Sequence, residues 1–380
     1  MKSHFMLAFT LRVVLVIYSN YHDQNFKVPF TDIDYKVFTD ASRYMLDGLS
    51  PFNRHTYRYS PLLALILTPN IFLYSNYGKI LFSFVDILVA ILIRKILATN
   101  TNYDQHMVNF CAYLWLYNPL IIIISTRGNA DCLAAFLVTL SLYFLECGFC
   151  SAAGLIHGLS VHFRLYPMAF SLAMYFSLST SNNIFINMKQ IKFTLTCLIS
   201  LIIATVISYY FYGFKFIHES LIYHLIRKDA RHNFSVFFYT LYLSADTIPS
   251  KFLRIFNILP QLILLINLSG FYSSKKNLPF ALMMQAFVVV IFNTIMTSQY
   301  FFWFLSLFPL CFPKLMYNVR RIMMLLVLWT ISQGMWLGMA YALEFKSLNS
   351  FNCIWLSSIL FFVINIQILS DLIQIYKKYY

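Results

Sequence analysis

The sequence predicts an all-α polytopic membrane protein, and three observations carry that reading. Apolar residues make up 60% of the 380, 19% are aromatic, and the mean hydropathy is +0.68, whereas a soluble domain sits near roughly 45–50% apolar. Apolar stretches such as KILFSFVDILVAILIRKILA (79–98), IKFTLTCLISLIIATVISYYF (191–211) and RIMMLLVLWTISQGMWLGMAYAL (321–343) are long enough to cross a hydrocarbon core of roughly 30 Å. Third, the charges are segregated between the two sets of loops that these stretches define.

Taken in order, apolar spans are expected near 5–20, 79–97, 109–125, 131–147, 151–163, 166–179, 192–212, 253–270, 278–296, 299–313, 322–343 and 352–375. That is about 10–13 transmembrane helices, since segments shorter than about 17 residues are weaker candidates. The first, FMLAFTLRVVLVIY, has no small-x-small cleavage site after it and reads as a retained anchor. With no linker, low-complexity tract or repeat period, residues 1–380 read as one integral domain.

One set of loops carries Lys2, Arg94, Lys95, Lys189, Lys192, Lys275, Lys276, Lys314, Arg320, Arg321, Lys377 and Lys378 with almost no acids. Bare basic loops are the positive-inside signature, so that side, with the C-terminus, is expected to be cytosolic. The other side mixes its Lys and Arg with Asp23, Asp32, Asp34, Asp40, Asp47, Asp131, Glu219 and Asp229. Acids carry little topological weight, so their concentration marks a working surface, expected to be luminal. The formal charge of +14 lies in separate loops with no continuous basic stripe, which excludes a nucleic-acid partner and fits anionic headgroups. The seven cysteines lie in or beside apolar spans, and CGFC (147–150) lacks the βαβ context of a redox pair.

PFTDIDYKVFTDASRYMLDGLSP (29–51) belongs to the first acidic-side loop, residues 21–60. Thr31 as N-cap and Gly48 with Pro51 as stop signals predict an interfacial helix over 32–47. At 100° per residue, Asp32, Lys36, Asp40, Arg43 and Asp47 share an arc of roughly 80° and read as an ion-pair ladder. Ile33, Val37, Phe38, Ala41, Tyr44 and Met45 form the opposite, membrane-facing stripe. Asp34 falls among those apolar residues, about 200° from Asp32. Two readings stand: an acid at the third helical position in a capping box with Thr31, or a carboxylate of raised pKa suited to general-base work.

Further polar clusters lie on the same side. SPFNRHTYRYSP (50–61) supplies Arg54, His55, Tyr57, Arg58 and Tyr59; STRGNAD (125–131) supplies Arg127 and Asp131; VHFRLYP (161–167) supplies His162 and Arg164. The second polar loop, 213–235, supplies His218, Glu219, His224, Arg227, Asp229, Arg231 and His232, and TSQYFFW (297–303) supplies Gln299. Each alone fits interfacial anchoring, but their convergence on one side points to a substrate path. His218, His224 and His232 are spaced at i+6 and i+8 rather than i+4, so no metal site is expected.

TDIDYKVFTDASRYMLDGLSPFNRHTYRYSPLLALILTPN, RGNAD, VHFRLYP, YHLIRKDARHNFSVFFYTLYL and TSQYFFWFLSLFPL together resemble, in the same order and over nearly the whole chain, the GPI mannosyltransferase I catalytic-subunit family of the C-type glycosyltransferase superfamily. The resemblance implies an endoplasmic reticulum membrane enzyme that moves mannose from dolichyl-phosphate mannose to the glucosamine of glucosaminyl-(acyl)phosphatidylinositol, in α-1,4 linkage. It maps the family's luminal D-x-D onto Asp32 and Asp34 as catalytic residues and implies a small single-span stabilising subunit. A β-linked donor giving an α product implies inversion, with one base and a set of cations for the departing phosphate. Arg58, Arg127, Arg164, Arg227 and Arg231 suit the cationic role, and no cofactor or divalent metal is expected to be required. The terminal KKYY has the form of a dilysine retrieval signal. Alternatives are a dolichyl-phosphate-mannose enzyme with another acceptor, or a lipid transporter, which would show internal repeats that are absent here.

Overall fold

The structure, a computed structural model, describes residues 1–99, 103–179, 187–227, 233–243 and 250–379, and every regular element among them is helical. The longer helices are α1 (Lys2–Asn25), α2 (Ile33–Leu46), α3 (Tyr77–Ala98), α4 (Gln105–Leu116), α5 (Pro119–Thr126), α6 (Asp131–Glu146) and α7 (Cys150–Phe163). They continue with α8 (Met188–Phe216), α9 (Ser250–Tyr272), α10 (Leu278–Ile291), α11 (Phe308–Leu315), α12 (Val319–Lys346) and α13 (Phe351–Tyr379).

Four helical segments are long and apolar enough to cross a membrane by themselves: Lys2–Asn25, Met188–Ile222, Val319–Lys346 and Phe351–Lys378. A fifth arises if α4 and α5, bent by 46° at their junction, count as one span. That bend falls at Asn118–Pro119, where the ring removes a helical amide and drives the preceding residue toward extended geometry. The other expected spans coincide with shorter or broken helices: 299–313 divides into Ser298–Tyr300, Phe301–Leu305 and α11, and 166–179 into Tyr166–Phe170 and Ser171–Ser177. At 22 residues α3 is long enough, but it carries Lys79, Asp86, Arg94 and Lys95.

One of those charges is paired inside the protein. Asp86 and Arg12 of α1, both fully buried, meet at 3.0 Å, Arg12 also donates to the Leu116 carbonyl of α4 at 3.0 Å, and the Trp115 indole donates to the Asp86 carbonyl at 2.8 Å. Charge at this depth must be paired, so the pairing joins α1, α3 and α4. Elsewhere small residues allow contact: α7 lies on α8 where Gly154 and Gly158, one turn apart, face the Phe193 and Cys197 carbonyls at distances no Cβ would permit. The α12–α13 pair is tied by indole donors, Trp329 to Asn365 at 3.2 Å and Trp336 to Ser358 at 3.0 Å.

The expected helix over 32–47 forms as α2, 14 residues long. Its buried side, with Tyr35, Phe38, Ala41 and Ser42, packs on the protein itself: Phe38 meets the Tyr59 ring edge-on at 4.7 Å, and the Ser42 hydroxyl donates to the Ala64 carbonyl at 2.8 Å. Ile33, expected on that stripe, is 75% exposed. Against α2 lies the 127–130 turn between α5 and α6. Gly128 has φ +94°, and a Cβ there would come within 2.5 Å of the Tyr35 ring. Both strain and collision therefore forbid a side chain at this point.

Gly128→Ala should cost about 2 kcal/mol or more, read as a lowered Tm of the detergent-solubilised protein. Gly148→Ala, at φ +82° with no atom within 4 Å, carries only the conformational penalty of about 1 kcal/mol. Equal losses at the two positions would show that the approach of Tyr35 is not what requires glycine at 128.

Candidate active site

The N-terminus of α2 is held from below by the 127–130 turn, since the Asp32 amide donates to the Arg127 carbonyl at 2.9 Å. The N-cap is Asp32, not Thr31: its carboxylate accepts from the Asp34 amide at 3.2 Å. The capping-box reading of Asp34 therefore fails, because the Thr31 amide and hydroxyl both bond Asp23 instead. Of the expected ladder, the ion pair found among the described residues is Arg43–Asp40 at 3.5 Å, and Asp40 also meets Arg54, outside the helix, at 3.0 Å. Asp32 and Asp34 are left at the positive end of the helix dipole.

Relieved of capping, Asp34 turns inward and is half-buried. The Tyr59 hydroxyl donates to it at 2.7 Å. Burial and then the neighbouring Asp32 charge raise its pKa, while Tyr59, Arg164 and Gln299 work in the opposite direction. The result is a carboxylate of increased basicity with a fixed orientation, as a general base needs.

A buried ion pair supports this arrangement. Arg164, at the C-terminus of α7, meets Asp131, the first residue of α6, at 2.7 Å. The Arg164 guanidinium also lies 4.8 Å from the Tyr59 ring centre, a cation–π contact on the ring that bonds Asp34. Asn129 caps α6 locally by accepting from the Asp131 amide at 2.9 Å and donates to the Gln299 side chain at 2.9 Å. Since Gln299 accepts through its oxygen, its amide nitrogen is turned toward Asp34, completing a chain from the 127–131 turn to the carboxylate.

The second polar segment closes over Tyr59. Helix α8 kinks at Gly213 (φ 61°, ψ −157°) and runs on as a π-helical turn, Ile217–Ile222. Ser220 donates to the Tyr59 carbonyl at 2.7 Å, and His224 Nε2 donates to the Arg58 carbonyl at 2.8 Å. Arg58 pairs with Glu219 and lies 4.0 Å over the Tyr223 ring. Burial pushes the His224 pKa down to about 4, with Arg164, Arg227 and Arg58 also opposing a second proton, so this imidazole is neutral at physiological pH.

These elements bound a cavity of about 550 Å³. Its polar wall includes Arg58, Tyr59, His162, Arg164, His224 and Arg227, and Arg227 reaches the Tyr300 hydroxyl at 3.4 Å. Trp303 is sandwiched between Tyr166 at 4.1 Å and Tyr300 at 4.5 Å, and all three rings line the space. The remaining wall is apolar, with Ile258, Leu262 and Ile266 at one-turn intervals along α9. Asp34 meets this cavity through Tyr59 and Arg164.

Of the residues expected from sequence, the fold thus gathers Asp32, Asp34, Arg58, Asp131, His162, Arg164, His224, Arg227 and Gln299. Arg127 contributes its carbonyl, while its buried Nε has no hydrogen-bond partner. Arg54 is instead committed to Asp40. Tyr57 is fully buried, its hydroxyl donating to the Ser60 carbonyl at 2.7 Å and accepting from the Ala64 amide at 3.1 Å, so it shapes the loop and takes no place in the cavity. Asp229 and Arg231 lie outside the described residues. Tyr59 and Glu219 were legible in the sequence only as members of their polar clusters, without a role, and sequence reasoning passed over Asn129 and the Tyr166–Trp303–Tyr300 stack. Tyr59 stands in the same RHTYRY run as Tyr57, and spacing does not separate the two. Among the described residues no three His, Cys, Asp or Glu side chains gather as metal ligands.

Residues 124–373 match the family model described as Mannosyltransferase (PIG-M). The chain is 40% identical to the GPI alpha-1,4-mannosyltransferase I catalytic subunit of Danio rerio over 99% of this chain and 97% of the relative. It is 37% identical to GPI mannosyltransferase 1 of Dictyostelium discoideum, covering 98% and 91%, and 35% identical to that of Saccharomyces cerevisiae, covering 97% and 94%.

Breaking the buried pair from one side should destabilise strongly. Arg164→Met strands a carboxylate and should cost about 3–5 kcal/mol, whereas Arg164→Met with Asp131→Asn should recover a large part of that loss. Thermal unfolding of the four members of the cycle reads this, and strictly additive losses would refute the coupling.

Proposed function

The chain belongs to the mannosyltransferase (PIG-M) family, and from that premise we propose that it adds the first mannose of the GPI-anchor precursor. The donor is dolichyl-phosphate mannose, and the acceptor is the 4-hydroxyl of the glucosamine in glucosaminyl-(acyl)phosphatidylinositol. The observation that carries the mechanism is the inward-turned Asp34 carboxylate, aimed by Tyr59 and made more basic by burial.

Asp34 takes the proton of the acceptor hydroxyl as that oxygen attacks the anomeric carbon of mannose. The bond from that carbon to the phosphate oxygen breaks, its electron pair leaves with dolichyl phosphate, and the anomeric configuration inverts. Asp32 serves as the positioning carboxylate: it caps α2 and its charge raises the basicity of its neighbour. The growing negative charge on the phosphate faces the wall of Arg58, Arg164 and Arg227, where fixed cations act most strongly because water is largely excluded. The leaving group is dolichyl phosphate, a phosphate monoester and not a nucleoside diphosphate, so arginines suffice and no divalent metal is proposed.

Both substrates are lipids. The apolar α9 face beside the arginine wall offers a path for a chain to enter from the bilayer while the sugar stays at the membrane surface. The membrane is that of the endoplasmic reticulum, with the Asp32–Asp34 side luminal and the C-terminus cytosolic, as the bare basic loops favour. A small single-span subunit is the proposed stabilising partner.

Mannose transfer from labelled dolichyl-phosphate mannose to glucosaminyl-phosphatidylinositol, assayed in EDTA, tests this reading. Asp34→Asn should lower turnover by roughly 10²–10⁴-fold at normal protein level. Asp40→Asn, which loosens only a surface pair of roughly 0–1 kcal/mol, should leave it nearly unchanged. Equal activity of the two variants would remove Asp34 from the mechanism, and loss of wild-type transfer in EDTA would overturn metal independence.

The pH profile gives a second check. A base works as its carboxylate, so the rate falls as pH drops through its pKa. The Tyr59 hydrogen bond favours the carboxylate, and its loss in Tyr59→Phe should therefore move the acid limb to higher pH. A limb that stays in place or moves lower would show that Tyr59 does not act on the ionising group.

A further inference from the structure

A second polar network, separate from the cavity, ends on the residue immediately before Asp32. Lys79, in the first turn of α3, is 1% exposed. Its ammonium donates to the Ser19 hydroxyl of α1 at 2.9 Å and to the Thr31 hydroxyl at 2.6 Å, and sits 5.4 Å from the Tyr35 ring centre. The Thr31 hydroxyl in turn donates to the Asp23 carboxylate. That carboxylate also accepts from the Phe30 amide at 2.5 Å and the Thr31 amide at 3.1 Å.

A buried ammonium costs several kcal/mol of lost hydration, and among the described residues no carboxylate touches it directly. Its countercharge, Asp23, is reached through one threonine hydroxyl, which serves both groups in the direction each requires: acceptor to Lys79, donor to Asp23. If only the lysine's burial had to be satisfied, a direct ion pair would do so with fewer groups. The relay instead fixes the backbone of residues 30 and 31 between α1 and α3. In the next peptide, the Asp32 amide is held by the Arg127 carbonyl. The start of α2 is thus held at two successive residues, Thr31 by the relay and Asp32 by the 127–130 turn.

We propose that Asp23, Thr31 and Lys79 form a positioning latch that sets the aim of Asp32 and Asp34, so that the latch governs turnover without touching either substrate. This rests on the assignment of Asp34 as the base. A misplacement of about 1 Å at a reacting group can cost on the order of 100-fold in rate, and a helix start freed on one side can move by that much. Lys79, Thr31 and Asp23 all act through Asp32 and Asp34, so their loss should appear in kcat while KM for donor and acceptor stays the same.

Thr31→Val keeps the shape and deletes the hydroxyl. We expect kcat of the folded protein to fall by about 10- to 100-fold with both KM values near those of the parent protein, and Thr31→Ser to recover most of the loss. Thr31→Val combined with Lys79→Met should be no slower than the slower single variant, because both break one relay. Amide hydrogen exchange reads the latch independently of substrate: residues 30–36 should exchange faster in Thr31→Val while the rest of the chain is unchanged. Parental kcat in Thr31→Val, a KM effect instead of a kcat effect, or unaltered exchange over 30–36 would overturn the latch. A wild-type protein without mannose transfer would overturn the functional assignment, and exchange would still decide the latch.

Discussion

The pairing of Asp131 with Arg164 is the constraint on which the site depends. Neither charge can be left alone where it lies, because each has been taken out of water and a single unpaired ion there would cost more than most proteins have to spare. The pair ties the start of α6 to the end of α7, and its position dictates the rest. Asn129 must cap α6 just before the aspartate, and Gln299 must meet Asn129. Tyr59 lies against the guanidinium with its hydroxyl on Asp34. Two carboxylates near each other thus acquire different roles: Asp131 is held by a cation, and Asp34 is held mainly by neutral donors in a setting that increases its basicity.

The same logic recurs at membrane depth. Arg12 with Asp86 and the α12–α13 indole bonds show how the long helices are joined to their neighbours. Apolar side chains give little preference between lipid and protein, so close glycine contacts and satisfied polar groups supply the specificity of packing. Broken segments such as 298–315 are tolerated because they lie inside the protein, where partners exist for the freed backbone groups.

The arginines are restrained in a way that suits a phosphate that comes and goes. Arg58 shares Glu219 and an aromatic face, and Arg164 shares Asp131. Each is thus oriented before substrate arrives, and little reorganisation remains to be done as charge develops. The neutral His224, bonded to the Arg58 carbonyl, holds the backbone of that wall without adding a pH-dependent charge.

Composition and span length alone determined that the chain is helical and membrane-embedded, and charge segregation singled out the loops whose polar residues the fold gathers, because these properties sum over many residues and tolerate local error. The amphipathic pattern of 32–47 likewise foretold α2, and Asp34 stood out as the one carboxylate out of phase with its neighbours. What only the tertiary structure decided was which polar residue meets which. Tyr57 and Tyr59 are two residues apart in one run, yet one fills the core and the other bonds Asp34. Arg54 and Arg58 are equally basic, yet one is spent on Asp40. Thr31 looked like a helix cap and is bound by a lysine 48 residues away. Such choices depend on distances between segments remote in sequence, and periodicity carries no information about those distances. The sequence therefore determined the class of the protein and the loops that supply its polar cluster, and the packing of α1, α3, α6 and α7 decided which of those residues meet.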